Sequence, residues 1–205
     1  DFARMFSDPK AFRDPERQLR GQAKAIDLLR YNGRYCVNML NIGLDCEVVD
    51  EVDSLKKITP LRGPLAYLAG IAVVFIGNEG FRLSVSVDEE VAEEGEFTLV
   101  AIGNGAFCGG GFKGAPRARI EDGLLDVGLV RKVSRRAFVA LLPHYKKGTH
   151  LDQRAAKGVI EYRQCRSVVV RPLGKDQLKV CADGEIEFAQ EVRVEVEPGA
   201  VRFSL

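Results

Sequence analysis

The chain has 205 residues, 46% hydrophobic and 29% charged, with 21 glycines, 8 prolines, 5 cysteines and no tryptophan. That is the balance of a folded globular chain, not a disordered or fibrous one, and at this length roughly 70% of the unfolded surface can be buried. Thirty Lys and Arg against 29 Asp and Glu leave a net charge of +1, so the overall basic field that draws a protein to nucleic acid is missing, and no nucleic-acid partner is expected.

From the start, residues 1–18 show no basic stretch followed by an apolar one, so they do not read as a signal peptide. The first residue is Asp1 rather than a methionine, which suggests a fragment or a processed chain. The first 30 residues are charged and helix-prone. Asp8-Pro9 and Asp14-Pro15 each set an N-cap before a proline at the first helical position, predicting two short helices. Asn32-Gly33 marks a turn. Tyr35, Val37, Met39 and Asn41 then alternate with Cys36, Asn38, Leu40 and Ile42, as in a strand buried on both faces that ends at Gly43. Helices are expected over 48–58 and 64–77. The apolar run 65–76 is about 12 residues, short of the about 20 that a bilayer crossing needs.

After Gly80 the pattern becomes β. Strands are expected over 81–88, 97–103, 125–130, 167–171, 177–182, 191–196 and 200–205, bounded by turns as in a sandwich or small barrel. One helix interrupts them, with Ser134 as N-cap and Ala137, Phe138, Leu141, Leu142 and Tyr145 at helical spacing. The acidic stretch 88–96 reads as a solvated hairpin that repels anionic membranes. Arg131, Lys132, Arg135 and Arg136 make a basic group elsewhere, where a charged helix start is the plainer reading. The five cysteines are odd in number, widely spaced and without CxxC or CxxH pairs, so reduced thiols are expected rather than disulfides or zinc.

Four stretches exceed what a core requires. Asn41-Ile-Gly-Leu-Asp45 puts an amide and a carboxylate at the end of a buried strand, although an Asp-capped turn explains the same letters. The glycine-rich segment 103–113 lets backbone N–H groups converge on an anion, or simply makes a tight bend, and it lacks the Lys-Ser/Thr of a Walker loop. Glu121-Asp122-Gly123 would suit a hydrated Mg²⁺-like ion or an ordinary β-turn. Asp183-Gly184-Glu185 places two carboxylates on a hairpin, where one can act as a general base or both can merely make the turn.

In order along the chain, Asp1-Phe-Ala-Arg4, NIGLDCEVV, GPLAYLAGI, IGNGAFCGGGF, APRARIEDGLLDV and ADGE resemble the bacterial diacylglycerol kinase family of lipid kinases, relatives of sphingosine and ceramide kinases and, more distantly, of NAD kinase. The resemblance covers nearly the whole chain. It implies a mainly β (α+β) fold, an antiparallel β-sandwich with added helices that forms the second domain of a two-domain kinase. Residues 1–33 would be an inter-domain hinge and helical segment and residues 34–205 the C-terminal β-sandwich, with the nucleotide-binding domain and its glycine-rich ATP loop outside this chain. By the same resemblance Asp122 would bind Mg²⁺ together with the main-chain carbonyls of Arg119 and Leu124. Glu185, with Asp183 as close competitor, would be the catalytic base, and Asp1 would join a carboxylate network reaching towards ATP.

The activity so implied is ATP-dependent transfer of the γ-phosphate to a hydroxyl of diacylglycerol or a similar lipid, with this piece alone inactive. The implied partners are a lipid at the membrane surface, the protein's own nucleotide domain and, left open, a second copy. The implied location is cytoplasmic and peripheral to the membrane. A non-catalytic lipid- or partner-binding module, or a kinase for a sphingoid or non-lipid alcohol, stand as the alternatives. Tyr67, Phe75 and Phe81 on or near the apolar helix could line an acyl path or belong to the core.

Overall fold

The computed structural model describes residues 1–49, 51, 80–174 and 176–204. The helices expected over 48–58 and 64–77, with Tyr67 and Phe75, lie outside these residues except at 48, 49 and 51. Among the described residues eleven strands form one sheet: β1 (Ala23–Tyr31), β2 (Arg34–Cys36), β3 (Met39–Gly43), β4 (Phe81–Val87), β5 (Glu93–Gly103), β6 (Leu125–Arg131), β7 (Ile160–Cys165), β8 (Ser167–Pro172), β9 (Leu178–Ala182), β10 (Glu185–Ala189) and β11 (Val192–Ser204). The order is β10-β9-β3-β5-β4-β8-β11-β1-β2, with β6 leaving the path to pair with β5 and β7, and all of these pairings are antiparallel.

β5 is where the sheet divides. Its first half pairs with β4, its second half pairs with β3, and β6 pairs with it from Phe97 to Gly103. The two ends of the path meet through an ion pair between Arg34 of β2 and Glu187 of β10 at 2.6 Å, so the sheet curls into a sandwich-like half-barrel. Phe97, Val100 and Ile102 of β5 pack into the main core with Leu29, Leu40, Ile42, Leu125, Val168, Val180 and Val194. Leu99 and Ala101 face the other way, into a second cluster with Met39, Leu44, Val48 and Phe112. Each fully buried side chain of this size contributes about 1.5–3 kcal/mol, so β5, buried on both faces from Phe97 onward, is the spine of the fold. Helix α1 (Pro15–Arg20) precedes the sheet, and α2 (Arg135–Lys147) lies over the second cluster through Phe138, Leu142 and Tyr145.

Local chemistry explains these elements. Asp8 and Asp14 cap the short helices that begin at Pro9 and Pro15, and Ser134 accepts from the Ala137 N–H at the start of α2. Asn32 and Gly33 both take positive φ between β1 and β2, as the turn signal required.

The structure also corrects the sequence reading. The helix-prone opening holds a nine-residue strand, β1, whose first three residues are exposed and so carry no hydrophobic pattern. The single strand expected over 34–43 is two, because the Asp183 carboxylate takes the N–H groups of Val37, Asn38 and Met39 at 2.7, 3.0 and 3.1 Å and pulls that segment off the ladder. The chain is helical from residue 44, earlier than expected. β7 and β10 were not anticipated as strands, and the two segments expected over 191–205 are one strand, β11, whose pairing with β1 shifts register opposite Ile26 and Leu28.

Candidate active site

The β9–β10 turn is Asp183-Gly184, both at positive φ, the geometry that an Asp-Gly hairpin favours. It aims the Asp183 carboxylate at the β2–β3 link, where Oδ2 accepts from Val37 and Oδ1 from Asn38 and Met39. Both of its oxygens therefore serve the main chain. Asn41 at the centre of β3 donates its side-chain N–H to Asp45 in the following helical turn at 2.6 Å. The glycine-rich loop turns back on itself through the Cys108–Phe112 bridge, with Gly109, Gly110 and Gly111 at positive φ, and the Gly110 N–H donates to Asp1 at 2.8 Å.

These pieces enclose a pocket of about 400 Å³ lined by Asp1, Asn38, Asn41, Asp45, Gly109 and Asp183, among others. Asp1 and Asp183, picked out in the sequence, thus meet in one place. Glu185 begins β10, exposed and two residues beyond Asp183. The pocket is rich in acceptors, with three carboxylates at its wall and the buried Oδ1 atoms of Asn38 and Asn41 without a hydrogen-bond donor. Gly105 makes room for one of them, since a Cβ there would stand 2.1 Å from Asn38 Oδ1. Such a lining suits a ligand that brings donors, as an alcohol or a hydrated cation does.

Asp122 lies in a neighbouring depression with Met5, Phe6, Lys24, Arg119 and Glu121, while Asp1 and Phe2 border the first pocket. The structure therefore separates Asp122 from Asp183 by the N-terminal segment. Asp122 is exposed and accepts from the Leu124 N–H at 3.1 Å, and Gly123 takes the positive φ of the turn. Glu121 is engaged by Lys24 at 2.7 Å. An exposed carboxylate of this kind would suit an ion that keeps most of its water, as Mg²⁺ does, and not a full side-chain cage. Among the described residues no cluster of three or more His, Cys, Asp or Glu forms such a cage.

Sequence reasoning missed the residue that holds this loop. Asp27, only 3% exposed on β1, accepts from Gly123 and Gly199 at 2.8 Å each, and its carbonyl accepts from Asn104. Asp126, fully buried on β6, accepts from the Tyr162 hydroxyl at 2.7 Å, and burial raises its carboxyl above the usual range. A lone acid inside a strand pattern was the available signal for Asp126, whereas Asp27 lies in a strand that the sequence did not show.

A second, apolar pocket lies between α2 and the sheet, lined by Leu44, Val48, Leu99, Phe112, Phe138 and Leu141 among others. Asp45 borders this pocket as well as the polar one. Phe81, offered as a wall of an acyl path, instead packs against the main core. The acidic hairpin is not a free anionic face: Arg131 and Arg163 both pair with Glu93, Arg163 also binds Glu90 at 2.7 Å, and Lys132 binds Glu96 at 3.0 Å. All five cysteines are buried and outside any disulfide. Among the described residues no helix is long and apolar enough to cross a membrane.

Against known proteins, residues 38–204 match the model of the YegS C-terminal NAD kinase beta sandwich-like domain. A Stenotrophomonas maltophilia protein named "Probable lipid kinase YegS-like" is 36% identical over 196 residues, covering 90% of this chain and 59% of that protein. A Pseudomonas aeruginosa protein of the same name is 31% identical over 207 residues, covering 100% of this chain and 64% of its own length. This chain thus spans about three-fifths of the curated relatives it matches. The crystal structure of a diacylglycerol kinase from Bacillus anthracis superposes over 97% of this chain and 60% of that one with a TM-score of 0.63 at 18% identity, a likeness of fold.

Proposed function

This chain belongs to the YegS C-terminal, NAD-kinase-like β-sandwich family, and on that footing we propose that it is the acceptor-side domain of an ATP-dependent lipid kinase. The observation that carries the proposal is the position of Asp45, which borders an apolar pocket on one side and an acceptor-rich one on the other. A lipid with its chain among Leu99, Phe138 and Leu141 would present its hydroxyl at that boundary. The names of the relatives, lipid kinases and a diacylglycerol kinase, agree with this reading.

Phosphoryl transfer asks the protein mostly for positioning and for a group that accepts the hydroxyl proton. Asp183 gives both oxygens to main-chain N–H groups, so in this reading it braces the turn and Glu185, two residues on, is the base. Asp1, held by Gly110, extends the carboxylate lining towards the side where a nucleotide domain would dock. When bound, Mg²⁺ would supply charge neutralisation near the phosphates, held by Asp122 with the carbonyls of Arg119 and Leu124. ATP itself would be bound mainly by the companion domain, at the cytoplasmic surface of a membrane.

The test is transfer of labelled γ-phosphate by the parent protein to neutral lipids in mixed micelles. Diacylglycerol is the first acceptor to try. A sphingoid or non-lipid alcohol being phosphorylated in its place would keep the kinase and change the acceptor.

A further inference from the structure

Charge is unevenly shared along the chain. Residues 127–160 hold eight Lys and Arg against a single acid, Asp152, a net of +7, while the rest of the chain sums to −6. Arg131 and Lys132 are paired with Glu93 and Glu96 of the hairpin. The remaining charge centres on α2, which carries Arg135, Arg136, Lys146 and Lys147 and no acidic residue, and Arg154 and Lys157 follow it, both exposed.

Helical geometry sorts these residues. Leu141 is buried, and Phe138, Leu142 and Tyr145 pack against the second cluster, so they define the inner side of α2. At about 100° per residue, the opposite side has Val139 and Pro143 at its middle, Arg135 and Lys146 on one flank, and Arg136 and Lys147 on the other. All six are exposed, Val139 by 69%. Among the described residues Arg136, Lys146 and Lys147 meet no acid, and Lys146 lies over the Phe112 ring at 5.6 Å.

A helix face that serves only solubility commonly alternates both signs, because opposite charges at i,i+4 stabilise it. This face has one sign around an apolar centre. Such a pattern fits a surface that is anionic outside and apolar beneath, which is the build of a bilayer. A nucleic acid offers phosphates but nothing for Val139 and Pro143.

We propose that the outer face of α2 docks on an anionic bilayer, with Val139 and Pro143 resting between headgroups and the four cations meeting lipid phosphates. The inference goes beyond the lipid-kinase reading and is carried by the helix alone. For a lipid kinase, docking in this way brings the membrane that supplies the substrate to the helix whose inner side walls the apolar pocket.

The test is co-sedimentation of the parent protein with phosphatidylcholine vesicles made with and without phosphatidylglycerol. The wild type should bind the anionic vesicles and leave the neutral ones. Replacing Arg136 and Lys147 together with glutamine should weaken that binding about 20-fold, the effect of two cations lost at an anionic surface, and Val139→Asp should weaken it as well. Lys10→Gln with Arg13→Gln removes the same charge from another exposed segment and should change it less than about twofold. These variants alter exposed side chains, so their unfolding midpoints should match the wild type.

Absence of wild-type binding to anionic vesicles overturns the proposal, and a face covered by the companion domain or by a second copy gives that result. Equal weakening by the Lys10 and Arg13 pair also overturns it, as does α2-dependent binding to duplex DNA without binding to vesicles. Vesicle binding that depends on α2, with no lipid phosphorylated, keeps the docking face and fails the kinase reading. Phosphorylation of detergent-dispersed lipid without vesicle binding does the reverse.

Discussion

Asn41 donates its side-chain N–H to Asp45 across 2.6 Å, and this bond helps orient a carboxylate that borders both pockets. It joins the middle of β3 to the helical turn that begins at residue 44. Replacing Asn41 with leucine removes one of the hydrogen bonds that orient the Asp45 carboxylate. The expected result is a fall in kcat for lipid phosphorylation of up to about 100-fold, the scale of a substrate held out of line, with ATP affinity unchanged. Steady-state kinetics of the parent protein with ATP and lipid varied separately check it.

The Asp183-Gly184-Glu185 turn gives two variants with opposite signatures. Asp183→Ala strands three N–H groups at the β2–β3 link and should lower stability by about 1–3 kcal/mol in urea unfolding. Glu185→Gln should leave the unfolding midpoint where it is and abolish turnover, because Glu185 is exposed and proposed as the base. If Glu185→Gln retains full turnover, the base lies elsewhere.

β4 and β8 could be read from alternation because one face of each is buried, β3 and β5 from apolar runs buried on both faces, and the helix capped by Ser134 from its spacing. β1 could not, since Ala23, Lys24 and Ala25 are exposed and the strand is held by its partner β11, 170 residues away in sequence. The break at Val37 and Asn38 was likewise hidden, because its cause is the side chain of Asp183, which only the folded chain brings there. At the site, the individual carboxylates stood out as letters, and Asp1 and Asp183 do meet. The role of Asp45 was not legible: Asn41-Ile-Gly-Leu-Asp45 equally spells a capped turn, and the pocket it shares is built from residues scattered between 44 and 160. Asp27 left no pattern, since its partners Gly123 and Gly199 are brought to it by the fold.

Asp27→Ala should be among the most damaging single changes. It leaves the Gly123 and Gly199 N–H groups without their acceptor near a buried position, at a cost of about 2–4 kcal/mol. Because Gly123 belongs to the Asp122 turn, the same variant should weaken Mg²⁺ binding by calorimetry, and Asp122→Ala should weaken it further with little loss of stability. Unchanged metal affinity in Asp122→Ala removes that residue from the ion site.

Acid should weaken the fold through His150. Burial pushes its imidazole from the ordinary 6.5 down to about 4, so between those values the unfolded chain takes up a proton that the folded chain refuses. The stabilisation is complete above pH 6.5 and is lost as pH falls towards 4, by about 3 kcal/mol in all. Urea midpoints measured across that window should fall steeply in the wild type and more gently in His150→Leu. Parallel slopes would show that the imidazole is not held neutral by burial.

The most direct measurement of the central claim is the transfer of labelled phosphate from ATP, with Mg²⁺, to a panel of neutral lipids by the parent protein. The account predicts a phosphorylated lipid whose formation is lost in Glu185→Gln while ATP remains bound. A folded parent that binds ATP and phosphorylates no lipid would contradict it.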